Sequence, residues 1–234
     1  MPDKPLVVGI IVARGGGSTF SRKNAYPLHG RPVLAWAVTA LREAGFIDRV
    51  FVWTEDDALA AIARDAGAEP LARPKDMVHY FAGNWTLGEW HRDQDRQMRE
   101  RLGRRYDYLV PFNCNCVCFS PESLRALYAA LRAAGDTAFR IQAVSRVQGG
   151  LCLENPANGR LFPVWNDTDR PLAANPHLYR LVGVGIVDCT RPAAAHGRTL
   201  YHEVPPREGF DFERPDDIPF ALHYLAPRAG KPMP

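Results

Sequence analysis

Residues 5–24, "PLVVGIIVARGGGSTFSRKN", decide the fold. The first eight read as a wholly buried strand, and the rest crowd three glycines, hydroxyl residues, two arginines and a lysine onto its end. A glycine-rich turn at the carboxyl edge of a parallel strand is where open α/β folds bind ligands. Glycines let backbone amides approach an anion, and Arg14 and Lys23 supply positive charge, so the turn points to a polyphosphate. A turn that merely reverses the chain is the other reading. The dinucleotide fingerprint does not fit, since its third glycine falls on Phe20. The Walker pattern is excluded as well, because Lys23 is followed by Asn24 instead of serine or threonine.

Outward from this turn, apolar runs alternate with segments of helical period, the pattern of parallel strands joined by helices. "PVLAWAVTALREAG" predicts a helix closed by Gly45, "RVFVWT" a strand, and "DDALAAIARDAG" a helix opened by acidic residues and closed by Gly67. A short strand "AEPLARP", a long polar-faced helix from "NWTLGEW" and a core strand "YDYLVPFN" follow. Ser120 and Pro121 open the next helix. From Phe139 to Val187 the runs become strand-like and suggest an antiparallel excursion, with "LCLENPANGRLFPVWN" as a strand pair. The tail "GFDFERPDDIPFALHYLAP" reads as a short strand and a final helix. The expectation is one domain over residues 1–234, with a β arm inserted at about 150–180.

At 234 residues and 46% hydrophobic, the chain can bury a substantial core. Its 29 basic and 26 acidic residues are intermixed, so a nucleic-acid partner is not implied. No run approaches the length of a membrane span and no secretory cleavage pattern is present, which gives a cytoplasmic reading with no membrane partner. Three of five cysteines lie in "CNCVC", where Cys114, Cys116 and Cys118 would share one strand face. Without a second cluster to complete a four-ligand site, they read as small buried residues beside a site.

Three segments carry a family resemblance: "ARGGGSTFSRKN" with "YPLHGRPVLAWAV", then "RVFVWTEDDALAAIARDAGAEPLARP", and "FDFERPDDI". Together they resemble the cytidylyltransferases that activate sialic acid, KDO and related acidic sugars as CMP conjugates. The resemblance implies a Rossmann-like, GT-A-like nucleotidyltransferase fold, with a mostly parallel central sheet flanked by helices and an antiparallel β arm for dimerisation. It further implies a homodimer that uses CTP, an acidic acceptor and magnesium, and releases pyrophosphate. Carried over to this chain, Ala13, Arg14, Gly15, Gly16, Gly17, Ser18, Lys23, Asn24 and Arg73 would bind the nucleotide, with Arg14 and Lys23 catalytic. Asp211 and Glu213 would hold the metal, and Asn113, Arg170 and Tyr179 would meet the acceptor.

The chain also departs from the family. Ser18 stands where the family loop has lysine, and "NCNCVCF" replaces the acceptor signature, with Asn113 for glutamine and Phe119 for arginine. Val182 and Gly183 replace an asparagine-glycine pair, so an acceptor other than sialic acid is expected. The metal motif's two aspartates become Asp211 and Glu213, which as alternate residues of a strand face one side.

Other readings stay open for several of these residues. Arg73, before Pro74, could equally be a surface arginine, and Asn113 a buried amide tying down a loop. Arg170 and Tyr179 could be an exposed arginine and an interface tyrosine, and the acidic pair solvated loop residues. The alternatives to the enzyme are a degenerate nucleotide- or partner-binding relative without turnover, and a nucleotidyltransferase with another base or a specialised natural-product acceptor.

Overall fold

The computed structural model describes residues 4–16, 20–77, 85–147, 152–154, 160–163, 178–190 and 198–230. Its centre is a seven-stranded sheet in the order β11-β7-β10-β6-β1-β4-β5. β1 (Val7–Val12) pairs in parallel with β4 (Arg49–Thr54) on one side and β6 (Tyr108–Asn113) on the other, and β5 (Glu69–Ala72) extends the β4 side. The chain therefore reverses direction across the sheet at β1. A crevice opens at such a switch point, outside the carboxyl ends of the strands.

Both faces of β1 are buried because its side chains alternate. Val7 and Ile11 enter a core shared with Leu34, Val38 and Leu41 of α1 (Val33–Glu43), Leu59 and Ala63 of α2 (Asp57–Asp65), Leu124, Leu127 and Leu131 of α4 (Pro121–Ala134), and Ala221 and Leu225 of α5 (Ile218–Ala229). Val8 and Ile10 face a second core with Phe51, Trp53, Leu71 and Met98, the last from α3 (Leu87–Leu102). Each fully buried side chain of this size contributes about 1.5–3 kcal/mol.

The helix ends form where the sequence places them. Asp56 caps α2 by accepting from Leu59 N, and Ser120 caps α4 by accepting from Ser123 N. Thr86 and Glu89 form a reciprocal capping box on α3, and Gly103 closes that helix at φ 67°.

The carboxyl half differs from the sequence reading. β7 (Ala138–Val147) and β10 (Leu178–Asp188) belong to the main sheet; β10 is antiparallel to both β6 and β7. β11 (Arg198–Val204), parallel to β7, was not expected from "RTLYHEV", because it is a polar-rich edge strand without an apolar run. Two short antiparallel pairs stand apart from the sheet: β2 (Pro27–Leu28) with β3 (Arg31–Pro32), and β8 (Cys152–Glu154) with β9 (Leu161–Pro163) in the expected arm. Most of the arm's span lies outside the described residues. β6 ends at Asn113, so the three cysteines lie on the turns after it and do not share a strand face. Residues 211–213 do not form the expected strand either, having no ladder partner.

Candidate functional site

The glycine turn leaves β1 directly into the crevice. Ala13 N donates to Trp53 O (3.1 Å), continuing the ladder, and the chain then bends at Gly15. A Cβ on Gly15 would lie 2.2 Å from Asp56 Oδ2, so this position needs glycine. Gly15 N donates to Glu55 Oε1 (2.8 Å), so that amide is already occupied by a carboxylate, contrary to the expectation that it cradles phosphate. Gly16 is exposed, and Gly17 and Ser18 lie outside the described residues. On the returning limb Asn24 Nδ2 donates to Arg14 O (3.0 Å), which ties the two limbs together. Arg22 adopts φ 55°, a conformation that non-glycine residues reach at a cost, and it leads into the single 3₁₀ turn that carries Lys23.

Opposite Lys23 stands a segment from the far end of the chain. Phe212 is buried, packed against Phe20 and Tyr26 at centroid distances of 5.8 and 6.2 Å. Its backbone N donates to Asn115 O (3.0 Å). In this extended stretch Asp211 and Glu213 thus fall together on the side away from the core. Glu213 Oε2 pairs with Lys23 Nζ at 2.6 Å, and Glu213 Oε1 accepts from Asn115 Nδ2 at 2.5 Å. Asp217 Oδ2 accepts from the backbone N of both Glu213 and Arg214 (2.7 Å each), fixing the turn beyond. Cys116 Sγ donates to Asp211 Oδ1 (3.6 Å).

Part of Asp211 reaches solvent, yet the protein around its carboxyl raises its pKa from 3.8. The Glu213 carboxylate adds to the rise, while the Cys116 thiol, Arg180 and Lys23 oppose it. Two neighbouring hard oxygen donors, one reluctant to ionise alone, suit a divalent cation of the magnesium class. Among the described residues no group of three or more histidine, cysteine, aspartate or glutamate side chains could hold a metal ion, so other ligands would have to come from phosphate oxygens and water. The buried thiols are not candidates: desolvation pushes Cys114 and Cys118 up to about 12 and Cys116 well above its ordinary value.

Two expected residues, Arg73 and Tyr179, stand differently from the sequence reading. Arg73 is neither a surface arginine nor open to a base: its side chain is 1% exposed. Its guanidinium lies over Trp53 and Trp90 at 4.7 and 4.4 Å, donates to Met77 O, and faces Glu55 at 3.9 Å. Through Glu55 it supports the Gly15 turn from behind. Tyr179 bonds to Glu203 (3.0 Å) in a groove with Val144, Leu181 and Tyr201, on the sheet face opposite the site. Its neighbour Arg180 points the other way, donating to Gly209 O close to Asp211. Arg170 lies outside the described residues.

Asn113 is exposed at the end of β6, against Gly183; a Cβ there would meet its Nδ2 at 2.1 Å. Phe119 is fully buried against Phe112, so the place of the family arginine is core here. Sequence reading missed Arg180, Asn115 and Asp217. Strand alternation beside Tyr179 was the available signal for Arg180, and an acidic residue three places after Arg214, in capping position, was the signal for Asp217; Asn115 joins the site through a contact 98 residues long that no local pattern marks.

Known proteins resemble this chain in sequence and in fold. Residues 8–79 match the family model described as cytidylyltransferase. A 3-deoxy-manno-octulosonate cytidylyltransferase of Anaeromyxobacter sp. (strain K) is 42% identical over 125 residues, covering 53% of this chain and 47% of that protein. An N-acylneuraminate cytidylyltransferase of Oncorhynchus mykiss is 24% identical over 94% of this chain and 50% of its own length. The chain spans about half the length of these curated relatives. A CMP:2-keto-3-deoxy-manno-octonic acid synthetase complexed with CTP superposes with a TM-score of 0.63 at 13% identity, over 95% of this chain and 99% of that one, a likeness of fold. The chain is thus similar, over part of its length, to cytidylyltransferases of acidic sugars, and its fold is like that of the solved synthetase. Among the described residues, no helix is long and apolar enough to cross a membrane.

Proposed function

We propose that this chain is a cytidylyltransferase that transfers CMP from CTP to the hydroxyl of an acidic small-molecule acceptor and releases pyrophosphate. The observation that carries the reading is the meeting of Lys23, from the glycine turn, with Asp211 and Glu213 at the carboxyl edge of β1 and β6. The family match over residues 8–79 supports the choice of nucleotide, and the relatives named above support a sugar acid or similar acceptor.

In the reaction the acceptor oxygen bonds to the α-phosphorus as the bond to pyrophosphate breaks. Negative charge spreads over the equatorial and leaving oxygens, so the protein's task is positioning and charge stabilisation. Lys23 leaves Glu213 and turns its three N–H donors to the phosphates, joined by Arg14 from the other limb of the turn. Gly16 is the described glycine open to the nucleotide, and Asn24 keeps the two limbs in register. Asp211 and Glu213 are placed to hold magnesium, which when bound neutralises phosphate charge and lowers the acceptor hydroxyl's pKa. Asn113 faces the acceptor side of the crevice. A homodimer through the 152–163 arm is the assembly this reading expects, and Tyr179 would meet an acceptor only in a second copy's site. A cytoplasmic location is part of the same proposal.

Pyrophosphate release tests the proposal. With magnesium and a panel of sugar acids, CTP should support release that depends on the acceptor, and ATP, GTP and UTP should not. Nucleotide binding without release for any acidic acceptor would favour the non-catalytic relative.

A further inference from the structure

The stretch Asn113–Phe119 replaces the signature through which the family meets its acceptor, yet in the folded chain its middle belongs to the acidic pair. After β6 the backbone turns, with Cys116 N donating to Asn113 O (3.0 Å), and this turn lies directly over residues 211–213. Three bonds join the two segments. Asn115 O accepts from Phe212 N, Asn115 Nδ2 donates to Glu213 Oε1, and Cys116 Sγ donates to Asp211 Oδ1. Asn115 therefore grips the acidic segment twice, once by backbone and once by side chain.

We infer that Asn115 is a positioning residue for Glu213: it holds Oε1 and leaves Oε2, the oxygen now paired with Lys23, as the one that turns to a divalent cation. This rests on the proposed function. Three physical points support it. The amide is a neutral donor, so it can fix a carboxylate without competing for its charge as Lys23 does. When Lys23 departs to the phosphates, Glu213 loses that ion pair, and the Asn115 bond still restrains the carboxylate. Asp217 fixes the backbone of the same residue, so Glu213 is held at both its main chain and one oxygen. Partners that orient a ligand in this way typically govern metal affinity by 10–100-fold.

The test compares Asn115→Ala and Asn115→Leu with the unaltered full chain. Mn2+ is titrated in the presence of CTP and followed by electron paramagnetic resonance, without acceptor or turnover. CTP binding without metal is measured in parallel by thermal shift. Either substitution keeps the backbone bond to Phe212, so the side-chain link alone is removed. Asn115→Ala should weaken Mn2+ binding by about tenfold, and Asn115→Leu likewise, with metal-free CTP binding unchanged in both. Asn115→Leu is close to asparagine in size and serves if the alanine variant does not fold. Unchanged Mn2+ affinity, or an equal loss of metal-free CTP binding, would overturn the inference alone. Failure of the unaltered protein to bind Mn2+ with CTP would overturn the metal site of the proposed function, and the inference with it.

Discussion

Lys23 and Glu213, 190 residues apart in the chain, form an ion pair of 2.6 Å in which the lysine side chain is 14% exposed and the glutamate 39%. The pair joins the first turn of the fold to the last loop before α5. It also means that the lysine proposed to meet the phosphates carries a carboxylate counter-charge before any nucleotide arrives.

Replacing Lys23 with methionine should separate these two roles. The half-exposed glutamate keeps its bond to Asn115, so the loss of stability should be small, about 0–1 kcal/mol. The rise in melting temperature that CTP produces should nearly vanish, because the phosphates lose a charge-assisted donor. Calorimetry with and without CTP reads both effects; an undiminished CTP shift would move the nucleotide site elsewhere.

Arg73 gives the opposite expectation. Its planar guanidinium lies against both Trp53 and Trp90, two rings in contact with each other, and is bonded to Met77 O, a geometry lysine cannot reproduce. Arg73→Lys should cost roughly 2 kcal/mol, a fall of about 4–8 °C for a chain of this size. The preference for CTP over UTP should not change, because the side chain is buried behind the Gly15 turn. A lost base preference with intact stability would return Arg73 to the nucleotide.

The uncovered end of the sheet yields a prediction about assembly. Leu181 and Tyr201 are 67% and 65% exposed, beside the point where the 152–163 arm leaves β7 and before the chain re-enters β10. A second copy covering this face would remove that apolar surface from water. Light scattering should give a dimer at micromolar concentration, and Tyr201→Glu should shift it towards monomer. A monomer before substitution would remove any role for Arg170 or Tyr179 across an interface.

The parts of the fold legible in the sequence are those where one short segment carries its own signal. β1, α1, β4, α2 and α4 follow from apolar period and caps such as Asp56, Ser120 and Gly67, and Lys23, Asp211 and Glu213 from short motifs. What escaped depends on partners distant in sequence. β11 is held by β7 across an edge, and its exposed Arg198, Tyr201 and Glu203 look like a loop's residues. Arg73 beside a proline has the local look of a surface residue, and only the fold brings Trp90 from α3 against it beside Trp53. Asn115 lay inside a stretch that motif reading gave to the acceptor, while its strongest contact is 98 residues away.

Asp211→Asn distinguishes a cation-holding carboxylate from a structural one, and the sign follows from the direction of its pKa. Burial and Glu213 raise the folded value above 3.8, so the folded state binds the proton more tightly than the unfolded chain. The stability this confers is full below about pH 3.8 and is lost as pH rises through the folded value. At neutral pH the ionised carboxylate therefore weakens the empty protein, and the asparagine, nearly equal in volume, removes that penalty. Without ligands the variant should melt at the same temperature or higher at pH 7, and the difference should close as the pH falls towards 4. Magnesium with CTP should reverse the order, stabilising the unaltered chain and scarcely the variant, because one of two oxygen ligands is gone. Turnover should collapse while metal-free CTP binding through Arg14 and Lys23 persists. A carboxylate serving only the fold would behave otherwise: its replacement would lower stability by about 1 kcal/mol and leave the metal dependence untouched, an outcome that thermal scans across pH with and without magnesium would expose.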